Sequence, residues 1–571
     1  IVPPDYKWRY PMLYHKDRSQ IELPTNLTRL SDKKYRYLQN SIYHLIRITI
    51  IPKLPVNIFQ KYFSHDNGRK TKDIQSMIGL FIMQAYFDLT NDQALEAYNF
   101  DQRFHYALDL KERETYLAVR TFYYYKKKIL GKGQTVFNAV LKRIDELINI
   151  DTSLQRTDST LVSLNLKKMS QWELFKTVLT KVLKDIKEEF SQDFQIIPEE
   201  IQQYIQNDES NTWFAGFSPG KSDEYVQQAA RDALALRDLF ADHPEIAKRE
   251  PFLLLLRLIE EQITITEDDE LNVEIKDEHK GSALSNPHDP EAQYNGHKKT
   301  AGVKVTLSET CSQDSANPHI ITNVEVDKAN VSDNEILQET IEHREEKDLQ
   351  PEVELTDNGY ESDENHQALA EKGIDLVAPP TGEAPDGFGV LDFELDESDH
   401  TMKSCPMGQE CQENKVNHKN KKTSSYFDVN KCRACPHSQD CPVKITKRKA
   451  KVEWNWSKPR LELRRLIFEQ DQDTIELFRL RSGGEAVMSE LKNTMGLRRL
   501  RVRGFDKAKL AIFLRVTGLN IKRLFNWLVA HQGSSASKFW ENGFIRAFLT
   551  FFRPVEVVSW PQEARHIGLA A

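Results

Sequence analysis

Three kinds of side chain in this sequence stand where chemistry would need them, and the first is the carboxylate. In LTDNGYESD, residues 355 to 363, a short apolar run with Val353 and Leu355 gives way to Asp357, Asn358 and Gly359. A carboxylate at a strand end is fixed on stiff backbone yet can face a cleft, which suits a ligand for a hard divalent cation. Asp-Asn-Gly is also favourable turn chemistry, so the stretch alone leaves both readings open. Asp158 lies in LQRTDSTLVSLNL, residues 154 to 166, whose β-branched residues predict a strand. Glu485 follows Phe478 and Arg481 and precedes Lys492, at spacings that share one helical face. An Arg481–Glu485 pair at i, i+4 is the structural explanation of the same charges. Gly483 and Gly484 weaken a helix at that point, which would put Glu485 in its first turn.

The second kind is the thiol. Five of the six cysteines fall between residues 405 and 441, in CPMGQEC and KCRACPHSQDCP. A Cys-x-x-Cys places two sulfurs on one metal with little strain, and tetrahedral zinc takes four thiolates or three with a histidine. The preferred set is Cys405, Cys432, Cys435 and Cys441, with Cys411 and His437 as alternates and free thiols as the bland reading. Such a set leaves no open position, so the expectation is a structural zinc and not a catalytic one. The third kind is basic: Lys419, Lys421, Lys422, Lys444, Lys447, Arg448 and Lys449 surround the cysteines, as in a zinc-stapled loop that offers charge to phosphates.

The net charge of the 571 residues is -8, with 39% hydrophobic and 29% charged residues, a soluble globular composition. Residues 415 to 530 hold 27 Lys and Arg against 11 Asp and Glu, and the rest of the chain 51 against 75. A basic segment on an acidic chain fits either a localised nucleic-acid site or a solvated surface. No apolar run reaches the roughly 18 residues needed to span a bilayer, and IVPPDYKWRYPMLYHKDR has no signal-peptide core. The clustered cysteines suit a cytoplasmic protein with one metal site. The sequence does not begin with Met, so a few residues are expected to precede it.

The elements that must position these groups read as follows. Residues 1–150 are a helical N-terminal domain. KTKDIQSMIGLFIMQAYFDLTNDQALEAYNFDQRF has apolar residues at helical spacing and a cap at Thr90 or Asn91. In TYLAVRTFYYYKKKIL, Lys126, Lys127 and Lys128 favour a helix dipole before they need a DNA explanation. The first strand occupies 151–166, and a helical insertion with an acidic linker at Glu267, Asp268, Asp269 and Glu270 occupies 167–290. The core resumes over 291–400. It predicts a hairpin of GVKVTLSET and HIITNVEVD, a helix at Asn334 to Glu346, the strand ending at Asp357, a helix at Glu364 to Lys372, and a strand at GIDLVAP. A cysteine-rich insertion at 401–450, helices at 451–550 and a tail at 551–571 complete the chain. Without its insertions this is an α/β mixed sheet with helices packed on it, whose crossovers let Asp158 and Asp357 converge.

The spacing F-x2-R-x3-E-x6-K from Phe478 to Lys492 resembles the Y-x2-R-x3-E-x6-K signature of bacterial insertion-sequence transposases with a DDE catalytic domain. RTDST, GVKVTLSET, TDNGY, the two cysteine motifs and GLRRLRVRG followed by GLNIKRL resemble one branch of that superfamily, in order, from about residue 50 to 530. The resemblance implies an RNase H-like fold with catalytic acids Asp158, Asp357 and Glu485. Glu490 is the rival third acid, and the spacing to Arg481 and Lys492 favours Glu485. The acids would hold two Mg²⁺ or Mn²⁺ ions, about 3.5 to 4 Å apart, and Arg481, Lys492, Arg498, Arg499, Arg501 and Arg503 would contact DNA. Phe478 departs from the signature Tyr and lacks its hydroxyl. The family likeness further implies double-stranded DNA as element ends and target, a homodimer in the active complex, N-terminal helices that bind element ends or mediate assembly, and a cytoplasmic, nucleoid-associated setting. A nuclease on the same fold without strand transfer and a domesticated, non-catalytic DNA-binding protein are the alternatives.

Overall fold

The computed structural model describes residues 12–531 apart from 17, 19–29, 64–69, 167–168, 211–221, 267–271, 277–282, 296–299 and 313–316. Four of the N-terminal helices matter here: α1 (Ile74–Tyr86), α2 (Asn91–Phe100), α3 (Val119–Lys128) and α4 (Gly133–Ile148). α1 is buried on all sides, and Asp73 caps it by accepting from the Ser76 amide at 2.8 Å. α2 opens with a reciprocal Thr90–Gln93 capping box, the favoured way to satisfy free amides at a helix start. Lys126 in the last turn of α3 is drawn inward, where it donates to Gln84 Oε1 at 3.1 Å.

β1 (Leu154–Ser163) is the centre of a mixed sheet. It pairs antiparallel with β5 (Thr300–Thr310), from Gln155↔Thr310 to Ser163↔Gly302, and β5 pairs antiparallel with β6 (Ile321–Lys328). On its other edge β1 runs parallel to β7 (Val353–Leu355), which runs parallel to β8 (Asp375–Val377). The order β6-β5-β1-β7-β8, three antiparallel strands followed by two parallel ones, is an RNase H-like sheet. A short β4 (Gln293–Asn295) lengthens the β5 edge. Helices α9 (Asp333–Glu345) and α10 (Asp363–Glu371) make the crossovers.

Between β1 and β4 lies the insertion, α5 (Gln171–Glu189), α6 (Glu199–Ser210), α7 (Ser222–Phe240) and α8 (Glu250–Gln262), which buries a core of its own around Phe175, Leu179, Leu255 and Leu258. Where a helix end and an acidic linker are expected, the chain forms a hairpin, β2 (Ile263–Thr266) with β3 (Asn272–Ile275). Ile263 and Ile275, paired across the hairpin, are β-branched residues that favour pairing. Glu267, Asp268, Asp269 and Glu270 lie outside the described residues.

The cysteine segment is also more than a loop. β9 (Glu394–Asp396) pairs with β10 (Thr401–Ser404). β11 (Glu413–Asn417), β12 (Lys422–Phe427), β13 (Lys444–Ile445) and β14 (Ala450–Asn455) form an antiparallel sheet in the order β11-β12-β14-β13, with α11 (Val429–Ala434) beside it. β12 and β14 alternate buried and open positions, with Thr423, Ser425 and Phe427 facing Ala450, Val452 and Trp454. Two of the inward residues on β12 are hydroxylic, which hides the strand from an apolar-alternation reading.

The chain ends in α12 (Lys458–Gln470), α13 (Gln472–Arg479), α14 (Gly483–Thr494) and α15 (Phe505–Ala530). α15 is buried along most of its length against α1, α4 and the sheet, with the Phe513 ring tilted against Phe137 at 6.1 Å. One apolar core therefore runs unbroken from Ile42 through the sheet to Leu528, crossing the expected boundary at residue 150. No helix among the described residues is long and apolar enough to cross a membrane.

Candidate active site

The β1–β7 register sets the first two acids side by side. Arg156 lies opposite Leu355, the last residue of β7. Continuing that register two residues brings Asp158 level with Asp357 as the chain leaves the sheet. Asp357 Oδ1 accepts from the Gly359 amide at 2.9 Å, and a Cβ on Gly359 would stand 3.0 Å from the same oxygen. The Asx turn is present, then, and its carboxylate remains directed at Asp158's neighbourhood. Asp158 Oδ1 accepts from its neighbour's amide, Ser159 N, at 2.8 Å.

The third acid arrives on a broken helix. Phe478, Arg481, Glu485 and Lys492 do not share one continuous α-helix: α13 ends at Arg479, residues 480–482 make a 3₁₀ turn, and α14 starts at Gly483. Glu485 sits in the first turn of α14, as the glycine pair suggested, and Arg481 is in the 3₁₀ turn before it. That turn carries the Arg481 guanidinium among all three acids. Its Nη2 lies 3.9 Å from Asp158 Oδ1 and 3.8 Å from Asp357 Oδ2, and its Nη1 lies 3.5 Å from Glu485 Oε1. The i, i+4 pair with Glu485 is thus real, but the same guanidinium also faces two acids from remote strands.

Burial raises the Asp158 carboxyl above the ordinary carboxylate range; Arg481 and the Ser159 amide pull it back, while Asp357 and Glu485 push it further up. Tyr360, fully buried, has its hydroxyl raised well above the usual tyrosine value, first by burial and then by Asp333, with Asp158 and Asp357 contributing. Asp333, at the start of α9, accepts from Ser159 Oγ at 2.7 Å and from Lys304 Nζ at 3.0 Å, so its charge is tied to β1 and β5.

Other acids near the opening stretch have structural employment. Glu361 and Asp363 are clamped by α12: Arg464 Nε donates to Glu361 at 3.0 Å, Arg464 Nη1 to Asp363 at 2.8 Å, and Arg460 Nε to Asp363 at 2.7 Å. Glu490 pairs with Lys522 at 2.7 Å and with Arg523 at 3.7 Å, turned toward α15 and apart from the Arg481 cluster. Phe478 packs edge-on against Phe468 at 4.9 Å, in an apolar group with Leu355 and Val377. A ring without a hydroxyl suits that partly buried apolar contact.

Basic residues follow β1 away from the acids. Lys492 Nζ donates to Thr160 Oγ1, and residue 499 bridges Ser163 at the end of the strand. Arg498, Arg499, Arg501 and Arg503 are exposed. Arg499 donates to Asn165 Oδ1 at 3.2 Å and Arg503 to the Asn165 carbonyl at 3.1 Å. Arg501 pairs with Asp88 at 2.7 Å, docking the N-terminal helices.

Cys405, Cys432, Cys435 and Cys441 line one cavity together with His437, whose ring rests against Phe388 at 5.5 Å. Cys411 is not in that lining; its thiol donates to the carbonyls of Glu413 and Tyr426, both at 3.4 Å. The Cys405 sulfur accepts from the Gln409 amide at 3.4 Å. Burial pushes the Cys432 thiol up to about 11, helped by Cys441, Cys405 and Cys435 around it. The seven basic residues of this segment are all exposed. They fall at opposite ends of the β12–β14 ladder, Lys419, Lys421 and Lys422 at the Lys422↔Asn455 end, and Lys444, paired with Lys451, together with Lys447, Arg448 and Lys449 at the Phe427↔Ala450 end.

Among the described residues, one group of His, Cys, Asp and Glu ligand atoms lies within 4.8 Å of one another: Glu325, Glu339 and His343, on β6 and α9. The sequence reading missed it, since its members are scattered among many acids. His343 Nδ1 is 2.6 Å from Glu325 Oε1. Neither the three acids around Arg481 nor the four sulfurs are drawn together that tightly.

Residues 404–525 match the family model described as transposase DDE domain. That segment is therefore similar to a transposase DDE domain; the match takes in the cysteine segment, Arg481, Glu485 and Lys492 and leaves Asp158 and Asp357 outside it. No curated protein and no solved structure matches the chain significantly.

Proposed function

We propose that this protein is a transposase that cleaves the phosphodiester backbone at the ends of an insertion sequence and joins them to target DNA, with Asp158, Asp357 and Glu485 as its catalytic acids. The observation that carries the reading is the meeting of three carboxylates, from β1, the end of β7 and α14, around the single Arg481 guanidinium. Their donors fit hard divalent cations: all are oxygens, and the crowding that raises Asp158 is what a cation relieves. Bound Mg²⁺ or Mn²⁺ would polarise the scissile phosphate and help generate the attacking oxygen nucleophile. The protein's own part is positioning and charge. Arg481, whose buried Nε has no hydrogen-bond partner, would turn its planar fork from the acids to a phosphate. Lys492, Arg498, Arg499 and Arg503 would continue a phosphate track along β1, with Arg501 divided between DNA and Asp88.

The domain reading remains part of this proposal: N-terminal helices for element ends or assembly, a split catalytic core, a helical insertion, and a cysteine module holding structural zinc through Cys405, Cys432, Cys435 and Cys441. Four sulfurs around one cavity, one of them accepting a backbone amide, are a thiolate donor set suited to zinc. A homodimeric active complex belongs to the same proposal.

The deciding experiment is a strand-transfer assay with labelled element ends and Mg²⁺ or Mn²⁺, comparing wild type with Asp357→Ala. Joined products that vanish in the variant support the transposase reading. Cutting without joining would select the nuclease, and DNA binding alone would select the non-catalytic protein.

A further inference from the structure

The two glycines before Glu485 have a reason that helix propensity does not supply. Arg156 and Asp158, two residues apart on β1, project from the same side of the strand. Arg156 is 5% exposed. Its Nε donates to Glu309 Oε1 at 2.7 Å, and its Nη1 donates to the Leu480 carbonyl at 2.5 Å. Leu480 opens the 3₁₀ turn that carries Arg481. Just past that turn, a Cβ on Gly483 would stand 2.1 Å from Arg156 Nη1, and one on Gly484 would stand 3.4 Å from the Asp158 Cβ. The start of α14 therefore lies directly on β1, with the Arg156 guanidinium beneath Gly483.

The guanidinium is itself held. Glu309 faces Arg156 across the β1–β5 ladder, is 2% exposed, and gives its second oxygen to Arg523 of α15 at 2.6 Å. Arg523 also donates to the His319 carbonyl at 2.9 Å. A buried carboxylate shared by two arginines is rigid, because moving either one leaves charge unpaired in a dry site.

We propose that Arg156 is a positioning residue: by holding the Leu480 carbonyl against β1 it sets how closely Glu485 and Arg481 approach Asp158, and so how tightly the three acids take a divalent cation. The inference rests on the reading of those acids as metal ligands. Arg156 itself touches neither substrate nor metal; it acts through the turn before α14, as outer partners of metal sites do, where their loss costs roughly 10- to 100-fold in metal affinity.

The test is Mn²⁺ binding to the full chain, followed by the electron paramagnetic resonance of free Mn²⁺, with thermal unfolding recorded alongside. Subtracting Asp158→Asn isolates binding at the acids from binding elsewhere, the Glu325 group included. Arg156→Lys keeps a cation beside Glu309 but cannot hold both Glu309 and the Leu480 carbonyl. It should unfold near the wild-type temperature and need on the order of tenfold more Mn²⁺ for half-saturation. Gly483→Ala is the second variant: its backbone is already helical, so alanine favours α14 locally while its methyl displaces the Arg156 contact. It too should weaken Mn²⁺ binding without lowering the melting temperature in proportion. Asp158-dependent binding that is unchanged in both variants would overturn the positioning role alone. Absence of Asp158-dependent binding in wild type would overturn the metal-ligand reading together with it.

Discussion

The cysteine cavity and the acid cluster are both candidate metal centres, yet they are assembled on opposite scales. The four cavity cysteines come from residues 405 to 441 and sit on a small sheet with its own apolar core of Val390, Phe393, Met402, Phe427, Val452 and Trp454. The acids come from residues 158, 357 and 485, and what joins them is the register of β1 with β7, the Arg156–Leu480 bond, and the docking of α15 across sheet and N-terminal helices. A centre of the first kind can fail without disturbing the rest of the molecule. One of the second kind fails when distant packing shifts by an ångström, because its ligands share no local scaffold.

The largest expected effect separates chemistry from folding. Asp158→Asn should abolish DNA cleavage, by a factor on the order of 10⁴, while leaving zinc content and melting temperature near wild type. A variant that retained cleavage would remove Asp158 from the centre. Cys432→Ser should do the reverse. Metal analysis should show the loss of about one equivalent of zinc, and hydrogen exchange should rise in β11–β14 while the core around Phe513 stays protected. Proton release sharpens the contrast: with Cys432 raised to about 11, its thiol is protonated at neutral pH, so adding zinc to metal-free protein at pH 7 should release protons. Mn²⁺ uptake at the acids should release them only as the pH falls toward the carboxylate range, and sooner than for an ordinary carboxylate, because Asp158 is raised. Equal release by both metals at pH 7 would contradict the assignment of ligand types.

A smaller effect tests how the Asp357 loop is held. Arg464→Ala removes the arginine from Glu361, whose side chain is 2% exposed and keeps only Thr381 at 3.3 Å and His366 at 3.8 Å, and should destabilise the fold by about 3 kcal/mol, read by denaturant unfolding. The smallest concerns the rival acid. Glu490→Gln gives up partly exposed ion pairs with Lys522 and Arg523, an expected loss of about 1 kcal/mol or less, with cleavage within a few-fold of wild type. A collapse as deep as that of Asp158→Asn would move Glu490 into the centre.

Much of the frame was legible in the residues. LQRTDSTLVSLNL gave β1 to within a few positions, the β5–β6 hairpin and the α9–β7–α10–β8 alternation followed from periodicity, and the Cys-x-x-Cys located the cavity. β12 was not legible, since its inward Thr423 and Ser425 mimic a polar loop. Nor was the continuity of the N-terminal helices with the sheet, because apolar periodicity marks which face is buried but not against what. The glycine pair signalled a break in the helix at the right place, but for a reason visible only with Arg156 beneath it.

Residue type and spacing alone determined which groups could do the chemistry: two aspartates at strand positions, a glutamate behind an arginine, and thiols close enough in sequence to share one ion. Those are local properties, written in covalent distance and propensity. Tertiary structure decided which acids meet, and it turned Glu361, Asp363 and Glu490 to structural pairs while setting Arg481 among Asp158, Asp357 and Glu485. The reason is that a charge's partner is fixed by distance through space, which for residues hundreds of positions apart exists only once strand register and helix packing are in place.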